Sequence, residues 1–175
     1  PLFFSNLNNK INLNFFMDIF NKLSEMGLKD SEIASFACYI FLSLRDTEMG
    51  QKFRTAKSHQ ESYAILAENA TQFETNFEYD FQIDSQMIRI IAKPTEAALF
   101  LSRKSPEEYR RVFLYREKVF NWFPTLSNLS PLAMTTPKCI LRGDAYTVYE
   151  AKAPKGKDLE SSKENLAGLK LLRSL

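Results

Sequence analysis

The segment Ser105-Pro106-Glu107-Glu108-Tyr109-Arg110-Arg111-Val112-Phe113-Leu114-Tyr115-Arg116-Glu117-Lys118-Val119-Phe120-Asn121-Trp122 constrains the fold more than any other part of the chain. Its start carries capping chemistry: Ser105 is placed to accept from the third helical N–H, Pro106 suits the first helical position, and Glu108 is placed to reach back to the cap. The sequence therefore predicts a helix opening at 105. Tyr109, Val112, Arg116, Val119, Phe120 and Phe123 fall on one face, an ordinary core stripe except that Arg116 sits within it and Arg110 flanks it. Such a cation must be paired or must serve a ligand, because an isolated buried charge is costly. The natural partner downstream is Asp144, in the largely apolar run Cys139-Ile140-Leu141-Arg142-Gly143-Asp144-Ala145-Tyr146.

A chain of 175 residues, 45% apolar and with 15 Phe, has the material for one domain with a sizeable core. Lys and Arg number 23 against 21 Asp and Glu, so any nucleic-acid site must be a local groove and not a field of bulk charge. Cys38 and Cys139 make no disulfide framework, and with His59 the single histidine no zinc cluster can be assembled. The expectation is a reducing compartment, no structural metal and no cofactor. No apolar run reaches the roughly 18 to 20 residues of a membrane span, so no membrane partner is expected.

Residues 1–16 lack the basic start, continuous apolar centre and small-residue cleavage site of a secretory signal. They are rich in Asn and Phe without a helical period, which leaves Phe3, Phe4, Phe15 and Phe16 exposed unless something covers them. Two readings stand: a poorly ordered leader before Met17, or an N-terminal arm that lays these phenylalanines on a neighbouring subunit.

Residues 17–27 read as a short helix stopped by Gly27, with Ile19, Phe20, Leu23 and Met26 on one face. Asp30 or Ser31 caps a second helix with the stripe Ile33, Phe36, Ala37, Ile40, Phe41 and Leu44. After a polar break at 45–48, a weakly amphipathic stretch through Tyr63, Leu66 and Ala67 is also helical. Residues 77–84 alternate strictly, Asp84-Ser85-Gln86 supplies a turn, and 87–91 supplies a second strand, which gives one hairpin packed on the helices. Thr95 to Arg103 is a short helix, and 124–137 is loop-rich with short helical pieces. The predicted fold is mainly α: a helical core over 17–153 with a small β-hairpin near 77–91, an N-terminal arm at 1–16, and a C-terminal linker and amphipathic helix over 154–175.

Three constellations offer chemistry. Asp144 with Glu150-Ala151-Lys152 has the residue types of a metal-dependent nuclease, in which carboxylates hold a cation and a lysine clamps the phosphate. If 144–150 is one extended strand, however, the two acids lie about 20 Å apart, and one metal cannot take both. Asp80 or Asp84 from the hairpin would have to substitute. Arg54 and His59, with Tyr63 one turn further, match the spacing of some small helical ribonucleases; the bland alternative is a polar surface histidine. The arginine helix with Asp144 is the third, and as structure alone it is a buried ion pair that fixes how the helix docks.

The third constellation also carries a resemblance. Residues 108–115 with the continuation Val119-Phe120-Asn121-Trp122 resemble the aromatic-Arg-Gln-aliphatic helix in coat proteins of flexible filamentous plant viruses, and Leu141 to Tyr146 is similar to the segment that carries that family's aspartate among aromatics. Leu23 to Asp30 leading into Ile33-Ala34 resembles the linker and second core helix, and the order of elements agrees across roughly 17–150. Arg111 stands where glutamine is usual, and Ala145 where an aromatic follows the acid. The resemblance implies a mostly helical, non-enzymatic capsid subunit that binds single-stranded RNA without sequence specificity, polymerises into a helical filament through terminal arms, and resides in the virion and the host cytoplasm. Arg110 and Asp144 are the RNA-binding residues it implies; Arg111, Lys118 and Arg142 join them as cations near the same helix and loop. Bases would stack loosely on aromatics such as Tyr109 or Tyr115. The alternatives are a nuclease domain using Glu150 and Lys152, or a helical protein-interaction module.

Overall fold

The computed structural model describes residues 13–37, 44 and 46–154. Within them the chain runs α1 (Leu13–Glu25), α2 (Asp30–Ser35), α3 (Glu48–Arg54), α4 (His59–Phe73), β1 (Phe77–Ile83), β2 (Met87–Pro94), α5 (Glu96–Lys104), α6 (Pro106–Trp122), a 3-10 turn (Phe123–Ser127), β3 (Thr135–Lys138), a second 3-10 turn (Ile140–Arg142) and β4 (Thr147–Lys152). The four strands form one antiparallel sheet in the order β1-β2-β4-β3. The mainly α expectation with a single hairpin is thereby corrected to a mixed α/β fold. Two strands escaped the pattern for different reasons. β3 is only four residues long and contains Pro137, which is tolerated because β3 is an edge strand. β4 lies inside the sheet, so Thr147, Val148, Tyr149 and Ala151 are all buried and the polar alternation of a half-exposed strand is lost.

Helix α6 is the hub. It packs against α1, α2 and α5, and its Phe113 and Phe120 rings meet Tyr149 of β4 at 5.9 and 4.9 Å. Tyr63 of α4 is fully buried and donates its hydroxyl to the Phe120 carbonyl at 2.6 Å, which ties the two long helices together. Pro106 does occupy the start of α6, but the Ser105 side chain makes no cap hydrogen bond. Thr47, Ser58 and Thr95 supply the side-chain caps of α3, α4 and α5.

The first helix begins earlier than the sequence suggested. Leu13 is 1% exposed, and the Phe16 ring packs on Phe20 and Tyr115 at 5.6 and 5.1 Å, so Phe16 belongs to this chain's own core and not to an arm. Phe15 lies on the same helix and is 39% exposed. Phe3, Phe4, the remainder of 1–12 and the predicted C-terminal helix lie outside the described residues. Gly27 closes α1 with φ +90°, and Leu28 N–H returns to the Leu23 carbonyl and Gly27 N–H to Ser24, the paired bonds of a Schellman ending. Of the stripe expected over 33–44, Ile33, Ala37 and Leu44 are buried and Phe36 is half exposed; residues 38–43 are outside the described set.

Candidate nucleic-acid interface

Arg116 is paired, but not with Asp144. Its guanidinium meets Glu74, at the C-terminal end of α4, in a bidentate contact: Nη2 is 2.7 Å from Oε1 and Nε 3.2 Å from Oε2. Tyr79 donates to the same carboxylate at 2.6 Å, and the guanidinium carbon lies 3.8 Å from the centre of the Phe77 ring. Burial works against the charge on Arg116, yet Glu74 and the surrounding phenols more than offset it and hold its pKa well above the ordinary value. Tyr109 and Tyr149 line the same site. Burial raises both phenols, Arg116 draws them down, and neither hydroxyl closes a hydrogen bond of ordinary geometry with the protein. Tyr109 is fully buried and Tyr115 nearly so, which removes both as platforms for stacking bases.

The proposed RNA-binding pair Arg110 and Asp144 is not brought together either. Arg110 and Arg111 stand on the first turns of α6 and share the carboxylate of Asp30; Arg110 also reaches Glu107 at 3.3 Å, and Arg111 reaches Asn21 at 2.8 Å. These cations clamp α2 and α1 onto α6. Lys118 is exposed further along the same helix. Asp144 accepts from the Cys139 N–H at 2.7 Å and returns its own N–H to the Cys139 carbonyl at 3.3 Å, which closes the connection between β3 and β4.

That connection carries two exposed cations, Lys138 and Arg142, and the partly exposed ring of Tyr146. Gly143 adopts φ +90°, where a side chain would be strained, and Ile140 N–H donates to the buried Thr147 hydroxyl, so the backbone is fixed from both sides. On this frame the exposed Arg142 donates to the Thr136 carbonyl at 2.6 Å. The exposed Lys138 donates to the Tyr146 hydroxyl at 3.0 Å, with its ammonium 4.9 Å from the centre of that ring. The hydrogen bond to Tyr146 raises the lysine pKa, so the ammonium stays charged. Two cations and a partly exposed aromatic face thus sit at the sheet edge. The negative charge of Asp144 is close enough to be felt by Lys138 but is held on the backbone.

Sequence reasoning had proposed Arg142 and Asp144 from this loop but missed Lys138 and Tyr146. The signal was available: Arg142-Gly143-Asp144 is a turn phrase, and a turn there brings Lys138 and Tyr146 to facing strand ends.

Glu150 accepts from Arg89 Nε at 3.0 Å across β2 and β4, and Lys152 is exposed two residues on. Arg54 pairs with Asp46, and His59 is nearly buried with Nε2 2.9 Å from the Ser130 carbonyl. Among the described residues no three His, Cys, Asp or Glu side chains converge as a metal-ligand group, and no helix is long and apolar enough to cross a membrane. No protein-family model matches this chain, and no significant match is found to curated proteins or to solved structures.

Proposed function

We propose that this chain is a structural protein that binds single-stranded RNA without sequence preference and polymerises along it, as a coat subunit does, in a virion and the cytoplasm of its host. The observation that supports the reading best is the β3–β4 connection. Lys138 and Arg142 are exposed cations on a rigid backbone, and the Tyr146 ring beside them offers a face to a base. Cations address phosphate and a ring accepts any base, which is the chemistry of sequence-tolerant single-strand binding. The nearly neutral whole, +2 by formal charge, suits a subunit that must lie against copies of itself. This reading moves the RNA contacts of the filamentous coat resemblance from Arg110 to the sheet edge, because Arg110 is engaged by Asp30 and Glu107.

Fluorescence anisotropy with a labelled single-stranded RNA oligonucleotide tests the assignment. Lys138→Gln with Arg142→Gln is expected to weaken binding about tenfold or more at low salt, while the circular dichroism spectrum stays unchanged. Arg110→Ala is expected to affect stability more than RNA affinity. Unchanged affinity in the Lys138/Arg142 double variant would contradict the site, and its loss in Arg110→Ala alone would return the site to α6.

A further inference from the structure

The sheet has two edges, and they are defended differently. β3 is short, carries Pro137 with no N–H to offer, and pairs with β4 through a register irregularity. β1 is seven residues long, contains no proline, and pairs with β2 in an unbroken register from Phe77↔Pro94 to Ile83↔Ile88. Among the described residues its backbone has no partner but β2. Half of its backbone groups therefore have no strand partner among the described residues.

The side chains of β1 say what that strand must carry. Glu78, Asp80 and Gln82 are exposed on the outer face, with Lys93 and Arg89 of β2 opposite Glu78 and Gln82; among the described residues neither carboxylate closes an ion pair, and Asp80 accepts from Gln82 at 3.2 Å. On the other face Phe81 and Ile83 are only partly buried at the rim of the core. We infer that β1 is a strand-addition site for an extended segment of a partner protein, with basic residues at alternate positions opposite Glu78 and Asp80 and apolar residues between them beside Phe81 and Ile83. Main-chain hydrogen bonds supply the attachment and the alternation supplies the selectivity. A second copy of β1 paired two-fold about Asp80 would set that carboxylate against itself, and other registers of self-pairing are tested by the concentration dependence below. The inference is independent of RNA binding, since Lys138 and Arg142 lie at the opposite edge of the sheet.

Hydrogen exchange over residues 77–83 of the full chain tests it, with a capped peptide alternating lysine and valine as the probe. The peptide is expected to slow exchange in β1. A peptide of the same sequence with its pairing amides N-methylated is expected to do nothing. Glu78→Lys with Asp80→Lys, both at exposed positions, is expected to weaken the lysine peptide about tenfold and to admit the matching glutamate–valine peptide instead, with the fold checked by circular dichroism. No protection, equal protection by the N-methylated peptide, or indifference to the charge swap overturns the proposal. Protection that rises with protein concentration alone also overturns it, in favour of a second copy on this edge.

Discussion

Arg116 shows how far a single residue can be read. Its place on the apolar face of α6 announced that a buried cation needed a partner, and the cation is indeed buried and paired. The identity of the partner was not legible, because Glu74 and Asp144 are both remote from Arg116 in sequence and only the chain path from α4 into β1 decides between them. Glu74 is the carboxylate counter-ion of a guanidinium whose side chain is 7% exposed, with the surrounding phenols adding to it. Glu74→Ala is therefore expected to destabilise the protein by about 3–5 kcal/mol, the cost of leaving a buried charge without its counter-ion. Arg116→Met is expected to cost less, since the Glu74 carboxylate keeps the Tyr79 hydroxyl as donor and is partly exposed. Urea unfolding of the two variants checks the order; a Glu74→Ala variant as stable as the parent would show that the pair contributes nothing.

At the level of elements, what repeats regularly was readable and what is fixed by neighbours was not. The β1–β2 hairpin announced itself by strict alternation and by Asp84, whose Oδ1 accepts from the Gln86 and Met87 N–H groups at 2.7 and 2.8 Å. Those backbone hydrogen bonds lower the Asp84 pKa below its ordinary value near 3.8. A carboxylate with a depressed folded pKa contributes stability above its unfolded pKa and loses it as the pH falls through the folded one. Protection of the Met87 amide is thus expected to fall on acidification below about pH 4 in the parent and to stay flat in Asp84→Asn, whose amide oxygen accepts at every pH. A parent profile as flat as the variant's would remove Asp84 from the turn's stability. The start of α1 was less legible, because four residues of a helix among Asn and Phe show no period until Met17, Phe20 and Leu23 extend it. Leu13→Ala is expected to cost about 2–5 kcal/mol by thermal or urea unfolding, and a neutral result would return residues 13–16 to the arm. β4 and β3 were hidden by burial on one side and by Pro137 on the other.

For the whole molecule, the first hairpin and the long helices were legible in the sequence but the sheet that unites them was not, and it is the sheet that brings Lys138 and Tyr146 together at its edge. Of the cations proposed from sequence, Arg110 and Arg111 hold helices together, Lys118 is exposed on α6, and Arg142 stands in the loop that Lys138 and Tyr146 complete. That division predicts few phosphate contacts per subunit and little preference among bases. The most direct measurement is the affinity of the purified chain for two unrelated single-stranded RNA oligonucleotides across a salt series. Sequence-tolerant phosphate binding predicts equal affinities that fall log-linearly with salt, with a slope of roughly 1.4 to 2.1 for two or three phosphates at about 0.7 each. Absence of binding at low salt, a steep preference for one oligonucleotide, or cleavage of either on adding magnesium or manganese would contradict it.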